Sequence, residues 1–597
     1  MTRHAFRLGL AALTALALHA VLLLLIGLLV APEPDDERAP SPFAAEYVAA
    51  PPPKPQVRKP QSRGGGGAAV TSLQKTSHAR ASVRIGRWSA QVQLGTETVR
   101  MSAAPKTVVV VSDGRVHSRR SYTESYEAFA DNGFRSPIDA PLSTFAIDVD
   151  TASYSNIRRF ITDGRNPRVD AVRVEEMVNY FRYEYPDPEG DEPFAVYTEI
   201  GDAPWRPEHR LVHIGLQGRR VDNADRPASN LVFLLDVSGS MRSNDKLPLL
   251  KRAFRMLVGE LDARDRVAIV VYAGHAGVAL PPTSGAEKQE ILRVVAGLGA
   301  GGSTAGAQGI RAAYDLAHRS FIRGGINRVI LATDGDFNVG ISDDGSLVRM
   351  IEKKRESGVF LTVLGFGKGN LQDAKMHKLA DKGNGSYHYI DSIYEAKKVL
   401  IDEMGATLQT IAKDVKIQVE FNPAHVAAYR LVGYETRLLA AEDFADDKKD
   451  AGELGAGHTV TALYEVIPHG VDSRALGGRQ IPLKYQQRDL SEAADGSGEM
   501  LTVKLRYKQP DGDTSRLITR VVSSDADGGD CTDGFRFSAA VAMFAMILRH
   551  SPAVGDATVS DARELARGSL GDDAEGYRRG FVSMVELYES QLATSLN

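Results

Sequence analysis

The chain of 597 residues contains a single cysteine, Cys531. An intrachain disulfide and a thiolate metal cluster are therefore both excluded. Neither sign of charge dominates: 72 Lys and Arg stand against 76 Asp and Glu, for a formal net charge of -4. With no dominant basic patch to grip a phosphate backbone, a nucleic-acid partner is not expected. A chain of this length is expected to hold about three or four domains. Only one apolar run is long enough to span a bilayer, and it lies at the N-terminus.

That run is residues 8–31, 24 almost uninterrupted apolar residues behind Arg3 and Arg7. A helix needs about 20 to cross the hydrocarbon core. A cleavable signal has a shorter apolar region and small residues before its cut site, whereas a cut after Ala31 puts Leu29 at such a position. No cysteine follows that could carry a lipid. The segment is read as an uncleaved transmembrane helix, its basic start cytoplasmic and the bulk of the chain outside. His19 lies within it, as either a functional group or a neutral imidazole against a neighbouring helix. Pro32, Pro34, Pro40, Pro42, the PPPKP run at 51–55 and the glycines at 64–67 then make a stiff spacer with a flexible joint. Residues 68–141 are assigned no fold.

Organised structure is expected from residue 142. Residues 144–151 read as a strand, 157–160 and 172–181 as helical, and 194–200 and 211–217 as strands. Between 230 and 404 the patterns alternate. Strands at 231–235, 267–272, 329–333 and 359–364 are separated by helices at 247–261, 287–298, 310–316 and 347–351, with a last helix at 396–404. Pro248 falls in a first helical turn, where its missing N–H does little harm. Such alternation means an α/β domain with a doubly wound, mainly parallel sheet. After 411, strands return at 415–421, 460–466, 501–507 and 517–522, and apolar helices close the chain at 535–548 and 576–592. The expected organisation is an anchor at 1–31, a stalk and linker at 32–141, a small domain at 142–226, the α/β domain at 227–405, and a β-rich α+β region at 411–597. Residues 142–226 have too few strands to bury a sheet face alone, so they are expected to pack with the β-rich segment beyond the α/β domain.

Chemistry concentrates where the buried run at 231–235 ends in Asp236, followed at alternate positions by Ser238 and Ser240. All three are oxygen donors, which suit hard divalent cations, and Gly239 lets the loop bend. The loop GGSTAG at 301–306 offers another hydroxyl, and the apolar strand at 329–333 ends in Asp334. In an open parallel sheet, ligands collect outside the carboxyl ends of the strands. Three oxygen-bearing loops at such ends form a metal cup. The combination resembles the metal-ion-dependent adhesion site of von Willebrand factor type A domains. That resemblance implies Asp236, Ser238, Ser240, Thr304 and Asp334 as ligands of Mg²⁺, with Mn²⁺ or Ca²⁺ as other candidates.

The resemblance extends further. STFAIDVDTASY at 143–154, RVEEMVNYF at 173–181 and GHTVTALYE at 457–465 are similar to the flanking domains of YfbK-like bacterial von Willebrand proteins. It spans roughly residues 142–592 and implies a metal-binding interaction protein of the cell envelope, here at the bacterial inner membrane, rather than an enzyme. Members that are lipoproteins have an acceptor cysteine that this chain lacks. The expected partner is a protein offering an Asp or Glu carboxylate to the metal.

Enzymatic readings fit less well. Asp148-Val149-Asp150 resembles the D-x-D of haloacid-dehalogenase phosphatases, but Ala152 stands where those have Thr or Val. The glycine-rich stretch at 299–304 lacks the phosphate-binding lysine of a P-loop. A metal-dependent hydrolase needs a general base, and Asp336 is the nearby candidate.

Overall fold

The computed structural model describes backbone elements within residues 80–120, then residues 124–222, 225–302, 306–335, 344–471, 496–524 and 530–595, with a few single positions besides. The anchor, the stalk with its prolines, His19, Thr304 and Asp336 lie outside the described residues. Among the described residues, no helix is long and apolar enough to cross a membrane. The chain divides into two units, 1–103 and 104–597. In the first, Arg80–Ile85 and Trp88–Gln93 form an antiparallel hairpin. The second begins with another, Thr107–Ser112 with Arg115–Arg120, and holds everything that follows.

A six-stranded sheet forms the α/β domain. Its order is Ala276–Ser284, Arg266–Tyr272, Ser229–Asp236, Ile326–Thr333, Phe360–Phe366, Tyr387–Ile390. All neighbours run parallel except the edge pair Ala276–Ser284 and Arg266–Tyr272. The edge strand had no legible pattern because Pro281 and Pro282 interrupt it, and an edge tolerates proline where a central strand does not. Alternate side chains of the central strand enter opposite cores: Leu231, Phe233 and Leu235 join one, Val232 and Leu234 the other. Helices cover both faces. Leu247–Glu260 buries Leu247, Leu250, Phe254, Leu257 and Val258 at the expected helical spacing, with Pro248 in its first turn. The doubly wound sheet is thus observed.

The flanking segments share their sheets. Leu142–Ala146 lies antiparallel to Thr410–Phe421, with Phe145 opposite Ile417 and Ser143 opposite Val419. Arg206–Gly218 pairs with Thr459–Pro468 over eight residues, from Gln217 opposite Thr459 to Arg210 opposite Val466. Each sheet therefore takes strands from both sides of the α/β domain. Phe145, Ile417, Val419 and Val503 from one sheet and Val212, Ile214, Leu216, Val460 and Tyr464 from the other fill a common core. On the far side of the second sheet's sequence, helices Asp533–Leu548, Val559–Arg567 and Tyr577–Ser595 pack with Ala152–Thr162 around Tyr154, Phe160, Phe181, Phe537, Phe544 and Phe581.

Two elements depart from the pattern reading. The strand expected at 144–151 stops at Ala146, because the Asp148 carboxylate accepts the Asp150 N–H at 2.9 Å and turns the chain out of the ladder. The helix expected at 396–404 is Ile393–Lys397 followed by one wide π-turn, Lys398–Asp402, closed by a Glu403 N–H to Lys398 carbonyl bond of 2.8 Å. Residues 124–141 run along the body. Ser125 N–H donates to Leu371 at 2.9 Å, and Arg135 and Tyr429 exchange backbone bonds at 2.8 and 2.9 Å.

Expressed alone, residues 411–597 lose the Leu142–Ala146 and Arg206–Gly218 partners, so the apolar strands at 411–421 and 459–468 each have one edge unpaired. The expected product is poorly folded; a well-dispersed NMR spectrum with a cooperative melt contradicts this account of the sandwich.

Candidate metal centre

Strand order brings two carboxylates together. Ser229–Asp236 and Ile326–Thr333 are parallel neighbours, so Asp236 and Asp334 sit side by side at their carboxyl ends, both fully buried. Past Asp236 the chain enters a tight turn, Gly239–Arg242, with Met241 buried beneath it. Asp236 Oδ1 accepts the Ser238 N–H at 2.8 Å, and the Ser238 and Ser240 hydroxyls lie 2.9 Å apart. The glycine loop docks on this turn: Gly301 N–H donates to Val237 at 2.8 Å and Gly239 N–H to Gly302 at 3.1 Å. Gly302 adopts φ +83°, and a Cβ there would meet Ala273 at 3.3 Å, so glycine is required for the close approach. The structure thus gathers Asp236, Ser238, Ser240 and Asp334 at one crevice. Thr304, two residues beyond Gly302, belongs to a stretch outside the described residues.

The two carboxylates have different surroundings. Asp236 Oδ2 receives neutral donors, the Thr333 hydroxyl at 3.2 Å and the Tyr272 hydroxyl at 3.4 Å. Burial pushes its pKa up to about 6, the Asp334 charge adds to this, and the Ser238 and Thr333 hydrogen bonds offset part of it. Asp334 is also raised by burial, but the Lys246 ammonium at 2.8 Å outweighs that, helped by Ser240 and Asn370, and holds it below the ordinary carboxylate value. Lys246 Nζ also donates to Asn370 at 3.0 Å. A Cβ at Gly367, where φ is +75°, would collide with the Lys246 side chain.

Lys246, Tyr272, Thr333 and Asn370 carry no motif signal. They come from a helix start, two strand ends and a distant loop, and only the sheet order unites them. In the sequence Lys246 is merely a charged residue before a helix. The donor set of two carboxylates and two hydroxyls is all oxygen, as Mg²⁺, Mn²⁺ and Ca²⁺ prefer. Asp236, buried and served only by neutral donors among the described residues, is the group a cation there would compensate. The residues fit a divalent ion.

The second carboxylate motif has a different setting. Asp148 and Asp150 are buried, and Arg437 holds Asp148 through Nε at 3.0 Å. Neither offers the exposed nucleophile that a phosphatase needs.

Comparison with known proteins follows this geometry. Residues 230–401 match the model of the von Willebrand factor type A domain, and residues 406–591 that described as "Uncharacterized protein YfbK, C-terminal". Residues 120–213 match a model described as von Willebrand factor. The chain is 41% identical over 495 residues to YfbK of Escherichia coli, covering 82% of this chain and 85% of that one. It is 36% identical over 121 residues to the magnesium-chelatase 60 kDa subunit of Cereibacter sphaeroides, covering 20% of this chain and 21% of that subunit. A solved von Willebrand factor type A structure from Catenulispora acidiphila, 17% identical, overlaps 67% of this chain and 91% of its own with a TM-score of 0.37.

The Lys246–Asp334 pair yields a test. Lys246→Met leaves a buried carboxylate without its cation, so in chelator the variant is expected to lose about 3 kcal/mol of stability by urea denaturation. Added Mg²⁺ is expected to restore part of this and to bind more tightly than to wild type, because the competing ammonium is gone. An unchanged urea midpoint in chelator means the pair carries no weight.

Proposed function

Because this chain belongs to the YfbK family and carries a von Willebrand factor type A domain, we propose that it is a membrane-anchored, divalent-metal-dependent protein-interaction module. The observation that carries this reading is the convergence of Asp236, Ser238, Ser240 and Asp334, with Asp236 buried among neutral donors. Together with Thr304 these residues hold Mg²⁺, with Mn²⁺ or Ca²⁺ as other occupants. The bound ion supplies positive charge and an exchangeable coordination position for an Asp or Glu carboxylate of the partner. Two of the protein donors are neutral hydroxyls, so less of the ion's charge is cancelled than in a cage of carboxylates, and an anionic ligand gains accordingly. Lys246 stabilises Asp334 in the absence of the ion, and the buried Asp236–Thr333–Tyr272 contacts fix the carboxylate that faces it. Residues 8–31 anchor the chain in the bacterial inner membrane, and the stalk carries the remainder on the extracytoplasmic side.

Asp236→Ala is expected to abolish the heat of Mg²⁺ binding in calorimetric titration while the circular dichroism spectrum is kept, since the sheet is built from the apolar strands around it. Capture of the partner should require Mg²⁺, fail with Asp236→Ala or Thr304→Ala, and fail when one acidic residue of the partner becomes its amide. Complex formation unchanged in chelator removes the metal from recognition.

The orientation has its own test. Protease added to spheroplasts is expected to digest the chain beyond Ala31; full protection in intact spheroplasts refutes it.

A further inference from the structure

Away from the crevice, four side chains with metal-ligating atoms gather where the segment before the α/β domain meets that domain. Asp148 and Asp150 come from the turn after Leu142–Ala146, Glu176 from the helix Val174–Val178, and His377 from the helix Asp373–Asp381. One ligand atom of each lies within 4.8 Å of all the others. The three carboxylates are at most 2% exposed, whereas the His377 side chain is 13% exposed and forms the rim.

Charge around this cluster is unbalanced. Arg437 is shared between Asp148 and Asp381, and Arg173 between Glu176, at 2.9 Å, and Asp373. Lys382 joins at Asp381, 3.0 Å away. Asp150 has no such dedicated partner. Its Oδ1 accepts the Tyr387 N–H at 2.7 Å, but its buried Oδ2 accepts no hydrogen bond from the described residues. That oxygen lies 3.2 Å from His377 Nε2 and 3.5 Å from Arg437, neither in hydrogen-bonding geometry. His377 Nε2 in turn lies 3.2 Å from an Arg437 nitrogen and 4.0 Å from Asp148 Oδ2. A single imidazole nitrogen cannot both accept from the guanidinium and donate to the carboxylates. The Asp150 oxygen that accepts no hydrogen bond and the divided nitrogen of His377 lie 3.2 Å apart, and a cation between them satisfies both while Arg437 keeps Asp148 and Asp381.

We propose that Asp148, Asp150, Glu176 and His377 form a second metal site, for a first-row divalent ion such as Zn²⁺ or Mn²⁺. An imidazole nitrogen with carboxylate oxygens suits these ions, whereas Mg²⁺ prefers oxygen alone and keeps its water. The ligands come from the sandwich side and from the α/β domain, so the ion clamps the inserted domain onto its flanks. The proposal is independent of the crevice.

The test uses the full-length chain carrying Asp236→Ala, which removes the crevice from the measurement. After stripping with chelator and dialysis, Zn²⁺ is titrated calorimetrically, and the Tm is recorded with and without it. The expected result is one Zn²⁺ per chain, a raised Tm, and no displacement by excess Mg²⁺. Both effects are expected to vanish in Asp150→Asn and in His377→Gln; the second position is partly exposed, so it decides the matter if the first variant does not fold. No Zn²⁺ uptake by the stripped protein, or uptake and Tm unchanged in His377→Gln, overturns the proposal.

Discussion

The pairing of Leu142–Ala146 with Thr410–Phe421 is the constraint on which the rest of the unit depends. The two strands are separated in sequence by the whole α/β domain, and the first sheet of the sandwich lacks its inner pair until they meet. Closing so long a loop costs entropy, but that cost grows only slowly with length. The return is large, because Phe145, Ile417 and Val419 of this sheet share one buried core with Tyr464 of the other. The α/β domain is consequently held at both ends, and buried and half-buried ion pairs join it to the sandwich. Arg158 reaches Asp391 at 2.6 Å and Glu395 at 2.7 Å, Arg173 reaches Asp373, and Arg437 reaches Asp381. Each arginine belongs to the flanks and each carboxylate to the inserted domain.

Breaking a buried pair of this kind is costly because one charge is left without compensation. The same rule governs the crevice. Asp334 has Lys246 as a resident counterion, while Asp236 has only neutral donors among the described residues, so the two carboxylates differ in how much they gain from an arriving cation. Lys246 neutralises Asp334 within the fold, and in the proposed metal site it competes with the ion for that carboxylate. In that proposal, affinity for the ion is set partly by a residue outside the ligand motif. Gly367, whose missing Cβ leaves room for the Lys246 side chain, is part of the same arrangement.

Much of this architecture is legible in the sequence. The alternation of apolar strands and amphipathic helices between 230 and 404 is a local signal, because a strand buried on both faces needs a continuous apolar run and a covering helix needs a 3.6-residue period. The oxygen donors Asp236, Ser238 and Ser240 lie within five residues, so their convergence needs only a loop. The expected union of 142–226 with the β-rich segment followed from too few strands to bury a face. Local chemistry misled where a side chain overrode the backbone pattern. Asp148 captured the Asp150 N–H and ended a strand, and buried Lys398, ion-paired with Glu403, accompanies the π-turn that widens a helix.

The sequence by itself determined the periodicities, the donor types and their order along the chain, since those depend on neighbours within a few residues. Only the tertiary structure decided which distant groups share a space. Lys246 and Asp334 are 88 positions apart, and Arg437 and Asp148 are 289 apart. No periodicity links such pairs, because their meeting depends on which strands lie side by side and on which face each helix buries. The same holds for His377 beside Asp150: one is a residue of a helix in the inserted domain, the other a turn residue of the flank, and only the packing of the two segments brings their side chains within 3.2 Å.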